Sequence, residues 1–260
     1  MKTNILSKES GFSNPALKLN ILHLVSGEGK AGSTKSIIYL IDGLLQRGHR
    51  VIAAASYGSY NYDLLKDKGF EVIPVEMKSR FDFKSVQKIV NLCQREKIDI
   101  VNGHLSTDRY LAIWAKLFGV KARIILTRRA ISKSSRLVSF LYRLGADKIV
   151  AVSKAVKDSC CSQQIPEKMV EVIHNGIPDN FGTPACHQKI EELRLRYKIS
   201  AKDRIIGMVS RWDKLKGHSV LLTAVKGIKD DCKVLLVGVD ESFWPEIESF
   251  GLKDRVILCG

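Results

Sequence analysis

Hydrophobic and polar positions along the chain predict short strands that alternate with amphipathic helices. The first predicted strand, 19–25, is rich in aliphatic residues, and the helix 36–46 repeats large aliphatic residues at helical spacing. The unit recurs, with further strands at 51–55, 71–75, 98–102, 123–127, 148–152 and from 170, and helices at 62–68, 84–96, 108–118 and 136–144. This alternation indicates an α/β fold with a parallel, doubly wound sheet, in which ligands bind at the carboxyl ends of the strands.

A second, shorter series of the same kind begins at about residue 204. It has predicted strands at 204–209, 233–237 and 256–259, separated by helices at 218–228 and 242–250. We therefore divide the chain into a polar tail (1–18), a Rossmann-like domain (19–180), a linker with a charged helix (181–203) and a partial second Rossmann-like domain (204–260). Three strands and two helices leave a parallel sheet half covered, so an open edge and exposed apolar residues are expected there.

Composition and charge narrow the class of protein. The 260 residues include 42 Lys and Arg against 27 Asp and Glu, and the net charge of +15 implies an anionic partner. The six cysteines form neither a Cys-x-x-Cys pair nor zinc spacing, and we expect them to be reduced and mostly buried, which favours the cytosol. The first 18 residues are polar and no apolar run approaches about 18 residues, so we expect neither a signal peptide nor a membrane span.

Two cations follow the strand at 204–209. Arg211 and Lys216 lie in Gly207-Met-Val-Ser-Arg-Trp-Asp-Lys-Leu-Lys-Gly217, where the lysine comes immediately before a predicted helix. Two positive charges beside a helix N-terminus suit a diphosphate. The plain alternative for any one such pair is a solvated basic loop.

A glycine-dense turn, Gly27-Glu-Gly-Lys-Ala-Gly32-Ser-Thr, follows the first strand. It matches the dinucleotide pattern Gly-x-Gly-x-x-Gly, but the second strand is followed by Ser-Tyr-Gly instead of the carboxylate that binds ribose, which argues against an oxidoreductase. It also lacks the lysine directly after the second glycine that a nucleoside triphosphatase needs. What remains is an anion site at a helix N-terminus, with Gly29, Gly32 and Ser33 as candidates, or merely a tight turn.

A histidine and a basic segment complete the candidates. His104 comes just after the strand 98–102, where a functional and a structural role are equally open, and Asp108 is expected to be a helix-start charge.

The segment 116–157 holds eleven Lys and Arg, at 116, 121, 123, 128, 129, 133, 136, 143, 148, 154 and 157, against one acid. An amphipathic stretch within it suits an anionic membrane or a phosphorylated acceptor, with a solvated basic face as the alternative. Nucleic acid is disfavoured, because no helix-turn-helix, zinc or aromatic-interleaved pattern is present.

Taken in order, these segments resemble family 4 glycosyltransferases, which have the two-domain GT-B fold. The resemblance rests on the strand–Arg–Lys-Gly–helix pattern, the glycine turn, the strand-end histidine, a strand followed by a helix capped by Ser153, and the strand that runs into Asn175-Gly176. It implies that Arg211 and Lys216 bind the diphosphate of a UDP- or GDP-linked sugar donor, that the glycine turn approaches donor or acceptor, and that His104 lies near the transferred sugar. It places Asn175 and Gly176 near the cleft at the end of the first domain, although their plain interpretation is a hinge.

The implied activity is transfer of a sugar from a nucleotide diphosphate sugar to a hydroxyl acceptor, with retention at the anomeric carbon. His104, Arg211 and Lys216 are the predicted catalytic residues, and no metal or other cofactor is expected because two fixed cations replace a divalent ion. Lipid-linked or glycan acceptors are implied, with the acceptor or the membrane contacted by Arg128, Arg129, Arg136 and Arg143. The protein would then lie in the cytoplasm or on the inner face of the cell membrane, in cell-envelope glycan or lipopolysaccharide synthesis.

One departure from the family is plain. The family's Glu-x7-Glu motif, whose acids hold the donor sugar and ribose, has no counterpart in 204–260. We therefore expect a truncated transferase or one part of a split one. A non-catalytic module of Rossmann-like fold that binds phosphate or lipid is the alternative hypothesis.

Overall fold

The structure of the protein, a computed structural model, describes residues 17–27, 32–131, 135–228 and 232–260, with the side chains of 179 and 180 left aside. The chain divides into two compact units, Met1–Phe181 and Gly182–Gly260. Strands and helices alternate in both, as the hydrophobic pattern predicts. The predicted α/β class is thus confirmed.

The first unit is built on a seven-stranded parallel sheet in the order β3-β2-β1-β4-β5-β6-β7. Its strands are β1 (Asn20–Leu24), β2 (Arg50–Ala55), β3 (Glu71–Pro74), β4 (Ile100–Gly103), β5 (Arg123–Arg128), β6 (Lys148–Ala151) and β7 (Val170–Val172). Its helices are α1 (Gly32–Gln46), α2 (Tyr60–Asp67), α3 (Phe83–Arg95), α4 (Ser106–Leu117), α5 (Arg136–Gly145) and α6 (Lys154–Ser162). The strand order reverses at β1 and β4, so the carboxyl ends of these neighbours are where ligands are expected.

Side chains of β1 alternate between two apolar layers. Leu22 and Leu24 belong to a large core that includes helices α3 and α4, whereas Val25 packs with Ile37 and other residues of α1. Because successive side chains of a strand point to opposite faces, His23 shares the α1 face with Val25. His23 is therefore a polar residue that lies buried beside the apolar layer formed with α1.

Two predicted helix bounds are corrected by the structure. Helix α1 begins at Gly32, four residues before the predicted start at Ser36, because its polar first turn is held by a hydrogen bond of 2.9 Å from Thr34 to Asn61. The helix predicted at 242–250 is shorter: a 3-10 turn at Glu241–Phe243 precedes α9 (Trp244–Glu248), which has a proline in its first turn. A proline lacks the amide that would continue the hydrogen bonding from the preceding turn.

The second unit contains a smaller parallel sheet in the order β10-β9-β8. Its elements are α7 (His187–Arg196), β8 (Arg204–Val209), α8 (His218–Lys226), β9 (Cys232–Val237), α9 and β10 (Val256–Leu258). Strand β8 is at the edge of the sheet as far as the described residues go, and Ile205 and Val209 are exposed on it, Val209 to 80 %. The open edge and exposed apolar residues predicted for this part of the chain are therefore present.

No helix within the described residues is long and apolar enough to span a membrane.

Candidate functional site

Polar side chains that are distant in the sequence meet at the carboxyl ends of β1, β4 and β5. The register pairs His23 of β1 with Asn102 of β4, and Asn102 with Ile125 of β5. His104 follows β4 and Arg129 follows β5, so the sheet brings both to the side chain of His23. This polar group contacts α1 through Ser36, whose Oγ accepts a hydrogen bond from Arg129.

His104 is held by both ring nitrogens. Its Nδ1 lies 3.0 Å from Nη1 of Arg129, and its Nε2 lies 2.6 Å from Nδ1 of His23. The ring is 1 % exposed. The position near the transferred sugar that the sequence indicates for His104 stays a prediction; the ring itself is buried and bonded within the protein at both nitrogens.

Both histidines are kept neutral. Burial lowers the pKa of His23 to about 3, and the nearby Arg129 guanidinium acts in the same direction. Burial also lowers the pKa of His104 well below its usual value, with further contributions from His23, Arg129 and Arg109. Neither ring is therefore suited to take up a proton near neutral pH in this arrangement.

The guanidinium groups of Arg129 and Arg109 both contact the polar group around His104. Arg129 donates from Nε to Ser36 Oγ at 3.1 Å, and Arg109 donates to Tyr142 Oη at 3.0 Å and to the His104 carbonyl at 3.1 Å. Burial and, after it, the charge of Arg109 lower the pKa of Arg129 to about 10, against the opposing effect of Asp108. No carboxylate of the described residues lies within ion-pair distance of either arginine.

Asp108 lies in the first turn of α4, as the sequence predicts for a helix-start charge, and it is buried there. It is 0 % exposed, and its carboxylate accepts from the amides of Ser26 at 2.9 Å and Leu105 at 2.8 Å. Burial raises the pKa of this carboxyl, while these hydrogen bonds and Arg109 oppose the rise. Asp108 thereby links the end of β1 to the start of α4. In this region the two cations Arg109 and Arg129 are accompanied by one buried acid, Asp108.

The four arginines predicted to contact acceptor or membrane lie in different surroundings. Arg128 is 2 % exposed and neighbours the buried Cys160 thiol, so contact with an acceptor or a membrane does not fit it. Arg129 is half-buried in the polar group described above. Arg136 and Arg143 are both exposed on α5. Adjacent strand residues point to opposite faces, which is why Arg128 and Arg129 separate so sharply.

Helix α5 presents its large apolar residues outward. Leu137, Phe140 and Leu144 are 68 %, 55 % and 56 % exposed, and their spacing of three and four residues places them on one face. The inward residues are Ser139, Tyr142 and Gly145. A Cβ on Gly145 would stand 2.5 Å from a methyl of Ile113, so glycine is what lets α5 lie this close to α4.

Only part of the predicted phosphate-binding turn lies within the described residues. Gly29 lies outside the described residues. Gly32 is the exposed first residue of α1, and Ser33 is half-buried, with its carbonyl accepting a 2.8 Å hydrogen bond from Ser36 Oγ. Since Ser36 also accepts from Arg129, the helix N-terminus is joined to the histidine pair. Asn175 and Gly176 are exposed in the segment after β7.

A cleft of about 610 Å³ lies at the carboxyl ends of β1, β2 and β3. Its lining is rich in hydroxyl groups and includes one carboxylate and one ammonium: Ser26, Ser56, Tyr57, Ser59, Tyr60, Thr107, Glu76 and Lys78. Sequence reasoning missed this cleft, because single serines and tyrosines after strands carry no distinctive spacing. Its chemistry suits a polyhydroxylated ligand more than a highly charged one.

In the second unit, the two predicted cations are exposed on the loop between β8 and α8. The side chain of Arg211 is 80 % exposed, with Asp213 at 3.7 Å. Lys216 ends a 3-10 turn, and Gly217 then adopts a left-handed conformation (φ 80°) as the N-cap of α8. The predicted position of the lysine at a helix N-terminus is therefore observed.

An aromatic stack that sequence reasoning missed supports this loop. Trp212 lies between His218, at 4.7 Å between ring centroids, and Phe243, at 5.0 Å. The three rings line a cleft of about 480 Å³ together with Asp213, Lys214, Ser219 and Glu246. The signal in the sequence that could have indicated this stack was Trp212, which directly follows Arg211. The stack joins the loops that follow β8 and β9 and so holds the segment that carries Arg211.

Among the described residues, no cluster of three or more His, Cys, Asp or Glu side chains could hold a metal ion.

Comparison with known proteins places this arrangement in a family. The profile of Glycosyltransferase Family 4 matches residues 31–181, which is more than half of the chain. The chain belongs to glycosyltransferase family 4. The matched part of this family 4 protein contains β2 to β7, His104 and Arg129, and it ends where the first compact unit ends.

Individual relatives agree with this family assignment. A Campylobacter jejuni enzyme, N-acetylgalactosamine-N,N'-diacetylbacillosaminyl-diphospho-undecaprenol 4-alpha-N-acetylgalactosaminyltransferase, is 28 % identical over 190 residues, or 66 % of this chain and 49 % of the relative. The family 4 chain thus spans about half the length of this curated relative. Among solved structures, a glycosyltransferase from Rickettsia africae has a TM-score of 0.82 at 24 % identity and covers 94 % of this chain and 68 % of its own. Anabaena Alr3699/HepE with UDP and glucose has a TM-score of 0.78 at 18 % identity, covering 93 % and 69 %. At these identities the structures establish the GT-B fold alone.

Proposed function

We propose that this family 4 protein transfers a sugar from a nucleotide diphosphate sugar to a lipid-linked acceptor that carries a diphosphate. The observation that carries the proposal is the pair of guanidiniums, Arg109 and Arg129, at the carboxyl edge of the family 4 domain, where one buried carboxylate faces two cations. Such an excess of half-buried positive charge favours an anionic ligand. The Campylobacter relative acts on a diphospho-undecaprenol acceptor by its name, which supports the same chemistry.

The acceptor would be held in the first unit by residues of two kinds. Arg129 is anchored by Ser36 and His104 and is half-buried, so it can meet a phosphate without reorganising its side chain. The hydroxyl-lined cleft of about 610 Å³ suits the sugar portion of the acceptor. Arg129 is therefore the member of the predicted acceptor set that we retain for direct contact.

The donor would be held in the second unit by the loop that carries Arg211 and Lys216. Both cations are exposed, and Lys216 precedes the N-terminus of α8, which favours an anion by its dipole and free amides. Fixed positive charge at this position would stabilise the departing nucleoside diphosphate. With an α-linked donor, the α linkage in the relative's name corresponds to retention at the anomeric carbon.

Helix α5 would hold the protein at the cytoplasmic surface of a membrane. Its outward face combines Leu137, Phe140 and Leu144 with the exposed Arg136 and Arg143. Apolar residues at the acyl boundary and arginines among anionic headgroups are the two contributions by which such helices bind lipid. A lipid-linked acceptor in cell-envelope glycan synthesis would be presented on the same surface.

A transfer assay tests the proposal. The purified chain is incubated with a panel of UDP- and GDP-sugars and a lipid diphosphate acceptor that bears one sugar, and the product is identified by mass spectrometry. Arg211→Ala should abolish product, whereas Lys226→Ala, which removes an exposed cation from the far end of α8, should leave it unchanged. Equal product from both variants would remove Arg211 from the donor site.

A non-catalytic binding module is the second candidate, because residues 204–260 contain no Glu-x7-Glu spacing. This module would bind nucleotide or lipid diphosphate and form no product with any donor. The same assay, run beside a binding titration with UDP, separates the two functions.

A further inference from the structure

A chain of hydrogen bonds runs from Arg129 through His104 to His23, and its direction can be deduced. A guanidinium has donors and no acceptor, so Nδ1 of His104 must carry its lone pair towards Arg129 Nη1. A neutral imidazole then has its proton on Nε2, and this atom lies 2.6 Å from Nδ1 of His23. His23 therefore accepts at Nδ1 and carries its own proton on Nε2.

The contact between the two rings is a hydrogen bond in the ring plane. The rings are inclined by 11° and their centroids are 4.9 Å apart. A nitrogen–nitrogen distance of 2.6 Å is much shorter than the separation of stacked rings, so the rings meet edge to edge. Both side chains are 1 % exposed, which excludes water as a competing partner for these two atoms.

This series of hydrogen bonds ends at a donor that has no acceptor. Nε2 of His23 is buried and has no hydrogen-bond partner among the described residues. A buried donor without a partner is unfavourable, so its presence at this point of the sheet needs a compensating role. At the other end of this series of hydrogen bonds, Arg129 uses Nε for Ser36 and Nη1 for His104, and its Nη2 has no partner among the described residues. A ligand that meets Nη2 would give the series a role.

We infer that His23 is a positioning residue, which accepts the Nε2–H of His104 and so holds that ring, and through it the Arg129 guanidinium, in place. In the other tautomer, His104 would turn a donor towards Arg129, and the contact at 3.0 Å would become repulsive. This inference rests on the proposed function only for its purpose, which is to present Arg129 to the acceptor's diphosphate. His104 then acts through Arg129, without touching the sugar.

The tautomer can be read directly. Long-range correlation of ring protons and nitrogens in the 15N-labelled full chain distinguishes Nδ1–H, Nε2–H and charged imidazoles. We expect His104 to keep the Nε2–H pattern from pH 7.5 to pH 5.5 and the Arg129 Nε–H to be visible and slow to exchange. His23→Asn should preserve both signals, because its side-chain oxygen can accept where Nδ1 does. His23→Leu should lose them, as His104 changes tautomer or takes up a proton.

Folding of each variant is checked by the dispersion of the backbone amide spectrum. If His23→Leu does not fold, the wild-type spectrum decides instead, since the inference requires the proton of His104 on Nε2 and no proton on Nδ1 of His23. An unchanged Nε2–H pattern in a folded His23→Leu protein, or a proton on Nδ1 of His23 in the wild-type chain, would overturn the inference.

Titration with inorganic diphosphate tests the purpose separately. We expect His23→Leu to bind it about tenfold more weakly than the wild-type chain and His23→Asn to bind it within about twofold. A wild-type chain that has the expected tautomer and yet does not bind diphosphate would refute the proposed anion site and leave the role of His23 intact.

Discussion

Replacing His23 by asparagine should weaken the dependence of stability on pH. In the unfolded chain both His23 and His104 titrate near their ordinary pKa of about 6.5, whereas burial holds the pKa of His23 at about 3 and that of His104 well below its usual value. A pKa that is depressed on folding contributes stability above the unfolded value, and this stability is lost as the pH falls. The window for the effect therefore opens below pH 6.5 and runs towards pH 3.

The magnitude follows from the titration of the unfolded chain. At pH 5.0, about 1.5 units below the unfolded pKa, each histidine that stays neutral in the fold lowers the free energy of unfolding by about 2 kcal/mol. The wild-type chain should thus lose about 4 kcal/mol between pH 7.5 and 5.0 from this pair, and His23→Asn about 2 kcal/mol. Asp108, whose pKa is raised by burial, acts in the opposite direction, but it is present in both proteins and cancels in the comparison.

The assay must report on the first unit alone, because two compact units can unfold separately. Urea-dependent hydrogen exchange, read by mass spectrometry in peptides that cover β1 and β4, gives the free energy of unfolding of that unit at each pH. The same loss of stability between pH 7.5 and 5.0 in both proteins would refute the reasoning, since it would mean that His23 is not held neutral by its surroundings.

Three further outcomes are expected. Gly145→Ala should lower the free energy of unfolding of the first unit by about 1–3 kcal/mol in urea titrations, because its Cβ would stand 2.5 Å from Ile113, whereas Gly43→Ala, which meets just the flexible end of Arg47, should be neutral or stabilising by up to about 1 kcal/mol. The double substitution Arg136→Gln and Arg143→Gln should weaken binding to phosphatidylglycerol vesicles, measured by sedimentation, by about 2 kcal/mol, or roughly 30-fold. The same affinity as wild type would exclude α5 as the membrane contact. Trp212→Ala should weaken UDP binding in a calorimetric titration, because Trp212 holds the Arg211 loop against His218 and Phe243; unchanged affinity would mean that the loop is positioned without the stack.

Hydrophobic periodicity was sufficient to predict the architecture. The apolar strands and amphipathic helices recur at spacings that admit one class of sheet, and the strand-end positions of His104 and Arg129 followed from them. Helix ends were less predictable where polar residues belong to the helix. The first turn of α1 at Gly32 is an example, because its partner Asn61 is 27 residues from Thr34 in the sequence.

The site itself depends on pairings that periodicity does not encode. His23 and His104 are 81 residues apart, and their contact depends on the register of β1 with β4. The hydrophobic pattern likewise identified α5 as amphipathic but not which face lies inward. Close packing of Gly145 on Ile113 decides that, and it turns Leu137 and Phe140 to the surface.

The most direct test of the account is the binding of a soluble lipid diphosphate, farnesyl diphosphate, to the first unit within the full chain. The account predicts that Arg129→Ala weakens this binding roughly tenfold or more, since a hydrogen bond to a charged group is lost. Arg123→Ala, at the opposite end of β5 and paired with Asp147 on the surface, removes the same charge and should have little effect. UDP affinity should be unchanged in both. Equal losses in the two variants, or none in either, would contradict an acceptor site at the carboxyl edge of this sheet.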